Sequence, residues 1–265
     1  MSPAPGEAGI PIRPPQELDL LSKERLEVNA WRDSPTESPQ ADSLENIINK
    51  LTDAPVFMEA FARHRDTFMR ASTLLELGGG QGWASCIAKR ILGNGKRVIA
   101  TDLSPFAVAS TRKWERLFSV QLDGAFACRS YELPVRDGSL DLIFTFQAAH
   151  HFVAHRSTAN EIQRVLRPGG TCLYLHEPTC HRLLHTLARA RVNTNGMPVP
   201  EDVLVLSRLK QLGEEAGLDV SSNFDLSLAK RGPVEMLYYL MMRKSGPLKH
   251  VLPCTRDICF RKRLP

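Results

Sequence analysis

Short apolar runs alternate with amphipathic stretches along most of the chain, and this alternation is its main structural signal. Strands are predicted at 74–77, 98–101, 124–128, 140–146, 171–175, 218–223 and 256–261. Between them, apolar residues recur at helical spacing, as at 83–92, 157–166 and 204–216. Strands that alternate with helices in this way predict a doubly wound α/β fold, with a mostly parallel sheet covered on both faces.

The beginning of the chain has a different pattern. Residues 1–16 hold five of the 18 prolines and have almost no apolar periodicity, which predicts disorder. Helical spacing then appears at 18–28, 43–51 and 55–70, with Asp53 as the expected cap of the third helix. We therefore expect a disordered segment at 1–16, a helical lid or extension at 17–70, and the α/β domain with C-terminal insertions at 71–265.

The turn after the first predicted strand contains three glycines at alternate positions. Gly78, Gly80 and Gly82 follow the acidic Glu76, in the place where a strand turns into a helix. Glycines in such a turn allow a ligand to lie against bare backbone. Asp102 ends the second predicted strand, 20 residues after Gly82, at a spacing suited to ribose hydroxyls. The two features together predict a nucleotide-like cofactor.

Composition limits the classes of protein that remain. The chain has 265 residues, of which 43% are hydrophobic, and it contains no run of 18 apolar residues, so we expect no membrane span. Without a secretory signal pattern, a cytoplasmic protein is expected. The six cysteines form no Cys-x-x-Cys pair, and buried free thiols account for them better than zinc or disulfides.

Positive charge is concentrated near the C-terminus. The last 37 residues hold nine Lys and Arg against two acidic residues, whereas the whole chain has a net charge of +5. A basic tail can bind nucleic acid, but neither an aromatic stacking platform nor a known nucleic-acid motif accompanies it. A solvated face is the favoured interpretation, and a nucleic-acid partner is the less favoured alternative.

Four motifs occur in a fixed order: the glycine turn at 76–82, Asp102, the Leu-Pro segment at 133–143 and the Arg-Pro-Gly-Gly segment at 164–170. Together they resemble the class I S-adenosylmethionine-dependent methyltransferases, most of all the type 11 branch that includes quinone-biosynthesis and other small-molecule enzymes. The resemblance implies a seven-stranded Rossmann-like sheet with an antiparallel last strand. It also implies an S-adenosylmethionine site at the carboxyl ends of the first strands.

The family's cofactor contacts transfer to named positions of this sequence. The resemblance places four residues around the methionyl part of the cofactor: Glu76, Gly78, Gly80 and Gly82. It places Asp102 at the ribose and Leu103 against the adenine. A dinucleotide dehydrogenase, the rival interpretation, usually has its third glycine where this chain has Trp83.

One position departs from the family pattern. Arg129 stands where relatives carry an acidic residue that reaches the adenine amino group. Because arginine offers only donors, it cannot accept a hydrogen bond from that group. We therefore expect Ser130 or Tyr131 to contact the adenine, with Arg129 either near the pocket or outside it as a surface charge.

The loop after the fourth predicted strand carries the candidate catalytic residues. Gln147 is expected to line the methionyl end, and His150 or His151 is expected to act as a base on the acceptor. A packing role is the alternative for both histidines. No histidine spacing matches a known metal-ligand signature, so no metal is expected.

The acceptor class is narrowed by motifs that the chain lacks. The loop after strand four has neither the Asn/Asp-Pro-Pro-Tyr nor the Pro-Cys sequence that resembling enzymes use on nucleic acids or proteins. This favours methylation of oxygen or carbon on a small molecule. The expected substrate contacts are Trp31, His176, Glu177, Tyr238 and Tyr239.

Two points about the acceptor and the activity stay open. An anionic acceptor would suit Arg182, Arg189 and Arg191, although these residues could equally be solvated. The alternatives to a small-molecule enzyme are a nucleic-acid-modifying enzyme and a cofactor-binding protein without catalysis. The oligomeric state is not predicted.

Overall fold

The computed structural model describes residues 21–41, 43–194, 199–227 and 229–264. The predicted disordered segment 1–16 lies outside these ranges. The strands are β1 (Thr73–Leu77), β2 (Arg97–Asp102), β3 (Gly124–Ala127), β4 (Leu140–Phe146), β5 (Leu166–Cys180), β6 (Leu204–Val205), β7 (Leu218–Phe224) and β8 (Cys254–Lys262). The helices are α1 (Ser22–Asp33), α2 (Leu44–Arg63), α3 (Arg65–Arg70), α4 (Trp83–Leu92), α5 (Pro105–Ala109), α6 (Thr111–Phe118), α7 (His155–Val165), α8 (His185–Val192), α9 (Leu206–Glu215), α10 (Pro233–Lys244) and α11 (Leu248–Val251).

The strands form one mixed sheet in the order β3-β2-β1-β4-β5-β8-β7. Strands β1 to β5 pair in parallel, and β8 runs antiparallel to both β5 and β7. The predicted doubly wound α/β fold with an antiparallel last strand is confirmed. The strand order reverses at β1, because β2 and β3 lie on one side of it and β4 and β5 lie on the other. At such a point a crevice forms beyond the carboxyl ends of the strands.

Two apolar cores cover the two faces of the sheet. Along β4, Leu142 and Phe144 belong to one core, and Ile143 belongs to the other. The first core is rich in aromatic side chains, including Phe57 of α2 and Trp114 of α6. A strand that is buried on both faces needs apolar residues at successive positions, which explains the run Leu142-Ile143-Phe144 in the middle of β4.

The helical extension differs from its prediction. Helices at 43–51 and 55–70 were expected, but α2 continues through Pro55 to Arg63, and α1 lies later than the predicted 18–28. Proline lacks an amide proton and weakens a helix at this point. Packing outweighs that loss, because Val56 and Phe57 are almost fully buried. Ser43 caps α2, and Asp53, the expected cap, pairs with Lys230 at 2.6 Å.

Two strands also depart from their predicted bounds. β5 runs to Cys180, beyond the predicted 171–175. This extension contains His176 and Glu177, near the carboxyl end of the strand. β6 occupies the start of the predicted helix 204–216 and pairs with the end of β5. A two-residue strand is too short to show a periodicity of its own, so the sequence pattern could not reveal it.

Two findings concern the described helices and thiols. Within the described ranges, no helix combines the length and the apolar character that crossing a bilayer requires. The six cysteines are free thiols, and five of them are buried, in keeping with their apolar surroundings.

The packing of α2 on the sheet can be tested at Phe57. This ring is 0% exposed and contacts the rings of Phe61, Trp83 and Phe146. We expect Phe57→Ala to lower the free energy of unfolding by about 3–5 kcal/mol, measured by urea denaturation. The control is Met58→Ala on the same helix, where the side chain is 43% exposed and a change below about 1 kcal/mol is expected. Equal effects from the two variants would contradict the packing described.

Candidate functional site

The glycine turn follows β1 at the crevice. Gly78, Gly80 and Gly82 have φ values of 70°, 55° and 76°, in the left-handed region that glycine adopts without strain. A Cβ atom on Gly78 would lie 3.0 Å from the Cβ of Ala148, and one on Gly80 would lie 3.1 Å from the ring of Trp31. The turn therefore brings bare backbone close to two other segments of the protein, and contact of this backbone with a ligand stays a prediction.

Asp102, the last residue of β2, connects the glycine turn to the following loop. Its carboxylate accepts hydrogen bonds from the amides of Gly80 and Ser104, each at 2.8 Å. Burial raises the pKa of Asp102 to about 6, against the opposing effect of these two N–H donors. The carboxylate thus lies at the carboxyl end of β2, held in a fixed position.

A pocket of about 280 Å³ lies between the glycine turn, Asp102, the loop after β4 and helix α1. Of the predicted site residues, those that line it are Trp31, Gly78, Gly80, Asp102, Leu103, Ser130, Tyr131, Gln147 and His151. The structure therefore brings most of the predicted cofactor residues together at one cavity. Their roles there stay predictions.

Helix α1 covers the pocket and contributes two glutamates to its lining. Glu24 accepts a hydrogen bond from the hydroxyl of Tyr131 at 2.8 Å, and Glu27 bonds Nδ1 of His151 at 2.7 Å. Arg129 lies on the outer side of Glu24, with 3.6 Å between their charged atoms, and is not part of the lining. Sequence reasoning had not assigned Glu24 or Glu27 to the site, although both share the face of α1 that carries Trp31.

The charges of the lining are mainly negative. Glu24, Glu27 and Asp102 stand against Lys50 and His151. Lys50 lies 5.7 Å from the ring centre of Trp31. Such a lining favours a ligand with a positive centre, since opposite charges attract strongly in a partly desolvated cleft.

The loop after β4 forms the wall opposite α1, and Glu177 holds it. The Glu177 side chain is 0% exposed and accepts hydrogen bonds from the amides of Ala148 and Ala149 and from Nδ1 of His150, each at 2.8 Å. Burial acts to raise the pKa of Glu177, but His150 and the two amides outweigh it and lower the pKa. A carboxylate bound in this way braces the loop, whereas the sequence had assigned Glu177 to substrate.

The two adjacent histidines have different positions. His150 is buried against Glu177 and is not among the pocket residues, whereas His151 lines the pocket. Burial lowers the pKa of His151, but the hydrogen bond and charge of Glu27 have the larger combined effect, and the pKa is raised. Of the two predicted bases, only His151 reaches the cavity.

A third side chain approaches this pair. The ring centres of His150 and His151 are 4.3 Å apart. One ring nitrogen of each and a carboxylate oxygen of Glu201 all lie within 4.8 Å of one another. Sequence reasoning had not considered Glu201, which follows the histidines by about 50 residues.

Glu76 and Gly82 lie beneath the turn and do not line the pocket. The Glu76 carboxyl group accepts a hydrogen bond from the amide of Ser85 at 3.0 Å and another from the Ser85 hydroxyl at 2.5 Å. Burial raises the pKa of Glu76 to about 8. A Cβ on Gly82 would meet Thr111 and Ala100, so this glycine allows close packing at the start of α4.

The other predicted substrate residues lie outside the lining. His176 binds the carboxylate of Asp225 and, through its amide, that of Asp257. Tyr238 donates its hydroxyl proton to the carbonyl of Pro253, and Tyr239 accepts a hydrogen bond from the amide of Thr255, both at 2.8 Å. These contacts fix α10 and the ends of β5 and β8, so three of the five predicted substrate residues have structural contacts here.

Comparison with known proteins identifies the domain that contains this site. Residues 75–174 match the family model described as a methyltransferase domain, type 11. A probable S-adenosylmethionine-dependent methyltransferase of Mycolicibacterium smegmatis is 30% identical over 60% of this chain and 59% of its own length. A malonyl-[acyl-carrier protein] O-methyltransferase of Marinomonas sp. is 36% identical over 40% of this chain and 38% of its own. The chain thus spans between about two fifths and three fifths of these relatives.

Solved structures agree on the fold. The geranyl diphosphate C-methyltransferase of Streptomyces coelicolor, solved with Mg²⁺, geranyl diphosphate and S-adenosyl-L-homocysteine, has a TM-score of 0.66. It is 11% identical, and the match covers 91% of this chain and 98% of that one. At this identity the likeness concerns the fold alone. The resemblance inferred from the four motifs is confirmed: residues 75–174 form a class I S-adenosylmethionine-dependent methyltransferase domain of the type 11 branch.

Proposed function

We propose that this chain binds S-adenosylmethionine in the pocket described and transfers its methyl group to an oxygen or carbon of a small-molecule acceptor. The observation that supports this most is the meeting of the glycine turn, Asp102 and the acidic face of α1 around one cavity. The domain is that of a methyltransferase enzyme, and the names of its relatives are those of S-adenosylmethionine-dependent enzymes.

The residues present fit this cofactor. Asp102 would accept hydrogen bonds from the ribose hydroxyls, and Leu103 would pack against the adenine. Ser130 and Tyr131 line the pocket where the family's acidic residue is missing, so they are the candidates for contact with the adenine amino group. Glu24 and Glu27 add negative charge suited to a sulfonium, and the bound cofactor would supply a methyl group activated by that positive sulfur.

The protein's own contribution to such a reaction is mainly to position the reactants and exclude water. Activated methyl groups need an aligned acceptor more than they need chemical assistance. Gln147 and Phe152 form the wall of the loop after β4, and α1 closes the opposite side. As a base, His151 would act through Nε2, because its Nδ1 is bonded to Glu27.

The size and lining of the pocket support a small acceptor. The cavity of about 280 Å³ has the size of a site for one small ligand, so a polymer does not fit inside it in this conformation. Arg182, Arg189 and Arg191, considered for an anionic acceptor, lie on the segment around α8 and do not line the pocket. An anion would therefore need another partner than these arginines.

Several basic residues near the C-terminus have structural contacts, which argues against the nucleic-acid alternative. The ammonium of Lys262 donates to the carbonyls of Gln163 and Leu166, and Arg256 is 5% exposed. The guanidinium of Arg231 lies 3.4 Å from the ring centre of Tyr239. Charges used in this way are less available to phosphates than a solvated tail would be.

Asp102 is the residue at which donor binding is tested. We expect Asp102→Asn to weaken the binding of S-adenosylhomocysteine, measured by isothermal titration at pH 7.5, by about tenfold or more, because a charged acceptor of hydrogen bonds is lost. Asp219→Asn is the control, since Asp219 is exposed and pairs with Arg263 at the surface. Unchanged affinity in Asp102→Asn would contradict the assigned site.

The same titration should depend on pH. With a pKa of about 6, Asp102 is ionised at pH 7.5 and about one-tenth ionised at pH 5. Because the ribose needs the ionised form, the affinity of the wild type should fall about tenfold between these two pH values. Asp102→Asn should lack this fall, and a parallel fall in both proteins would assign it to other groups.

The acceptor class is tested by turnover. Protein supplied with S-adenosylmethionine labelled in its methyl group should transfer label to low-molecular-mass hydroxyl or carbon acids from a metabolite extract, detected by mass spectrometry. Label appearing in RNA alone would favour the nucleic-acid alternative. Donor binding with no transfer to either pool would favour a protein without catalysis.

A further inference from the structure

His150, His151 and Glu201 converge at the rim of the donor pocket. The two histidines are neighbours on the single helical turn Ala149–His151 that follows β4. Glu201 approaches them from the segment before β6, and its carboxylate lies within 4.8 Å of a ring nitrogen of each. Two imidazoles and one carboxylate are a donor set typical of transition-metal sites, among them catalytic zinc sites.

Both histidines are oriented as metal-binding histidines usually are. Nδ1 of His150 lies 2.8 Å from the carboxylate of Glu177, and Nδ1 of His151 lies 2.7 Å from that of Glu27. A carboxylate at Nδ1 holds the ring proton there and leaves the lone pair on Nε2. Neither Nε2 atom has a hydrogen-bond partner among the residues that the structure describes. A histidine that serves only for packing does not need a carboxylate at its Nδ1 atom.

The charges around the cluster favour a cation. Glu27, Glu177 and Glu201 bring three carboxylates close to two imidazoles. Lys23 on α1 is the opposing charge, and it interacts with both Glu27 and Glu201. Asp202 also interacts with Lys23, and Arg189 is a second cation of this region. Burial lowers the pKa of Lys23, against the raising effect of these acids, and the acids around the cluster outnumber the cations.

We propose that His150, His151 and Glu201 bind a divalent transition metal of the zinc type beside the donor pocket. Ligand atoms about 2.1 Å from a tetrahedral metal lie about 3.4 Å apart. The observed spacing, within 4.8 Å, is wider than this, so metal binding requires a small movement of the ligand side chains toward one another. Nitrogen donors favour zinc, cobalt or nickel over magnesium.

The site would also assign a chemical class to the acceptor, a step that rests on the proposed function. Three protein ligands leave one tetrahedral position, and His151 belongs to the pocket lining. An acceptor oxygen, from a hydroxyl or carboxylate, would take that position and become more acidic there. A metal bound to Nε2 of His151 would prevent that nitrogen from accepting a proton. The metal site and a base role for His151 are therefore alternatives.

Metal binding can be measured without an acceptor. The purified protein is freed of metal with a chelator and titrated with Zn²⁺ in competition with a chromogenic chelator. A separate titration with Co²⁺ records the visible spectrum. Glu201→Gln and His151→Gln remove one ligand each. Glu214→Gln is the matched control, a surface glutamate of α9 whose carboxylate lies 3.8 Å from the ammonium of Lys210.

We expect one equivalent of Zn²⁺ to bind, with affinity at least about tenfold weaker in Glu201→Gln and His151→Gln and unchanged in Glu214→Gln. Mg²⁺ at equal concentration should not compete. The proposal is overturned by a wild type that binds no Zn²⁺ with saturation, by equal affinity in Glu201→Gln, or by a sulfur-to-cobalt charge-transfer band, which would place the metal on cysteines. A titration with S-adenosylhomocysteine in the presence of EDTA tests donor binding on its own, so the failure of one proposal is distinguishable from that of the other.

Discussion

The buried carboxylate of Glu177 determines the shape of the site. It lies at the end of β5, at a register shift against β8, and binds two amides and one imidazole of the loop after β4. A buried carboxylate is stable only when such donors surround it, and removing them leaves an uncompensated charge. The loop therefore has one favoured position, which fixes Gln147 in the pocket wall and leaves Nε2 of His150 without a hydrogen-bond partner among the described residues.

Helix α1 completes the site through electrostatic contacts more than through packing. Glu24 reaches Tyr131, Glu27 reaches His151, and Trp31 lies over Gly80. Each contact joins α1 to a different segment of the pocket wall, so the helix position depends on three segments at once. No apolar side chain of α1 is buried, and Leu26 is 45% exposed, which leaves these contacts as the main restraint on the helix. A helix held in this way can leave the pocket at low cost, as entry of a ligand requires.

The sequence predicted the parts of this protein that follow local rules. Alternating strands and helices predicted the sheet. Alternate glycines and an acid at the end of the second strand predicted residues that the structure places around one cavity. It did not predict the partners of buried charges, because those depend on tertiary contacts between distant segments. Glu177 was predicted to contact substrate because it follows the fifth predicted strand. Its role in holding the loop after β4 depends on the position of that loop above it, which the sequence does not reveal. Glu201 gave no signal, since its distance from His150 matches no ligand motif.

An acidic pocket and an oxygen-bearing acceptor are compatible only if something offsets their mutual repulsion. The carboxylates of Glu24, Glu27 and Asp102 favour a sulfonium donor and would repel an acceptor that carries or develops negative charge. The three arginines around α8 do not line the cavity, and Lys50 lies beside Trp31, whose ring covers Gly80 of the glycine turn. A divalent cation at His150, His151 and Glu201 would bring positive charge to the acceptor side alone. The same negative surroundings would then serve both donor and metal, and the acceptor would be selected by its capacity to bind that metal.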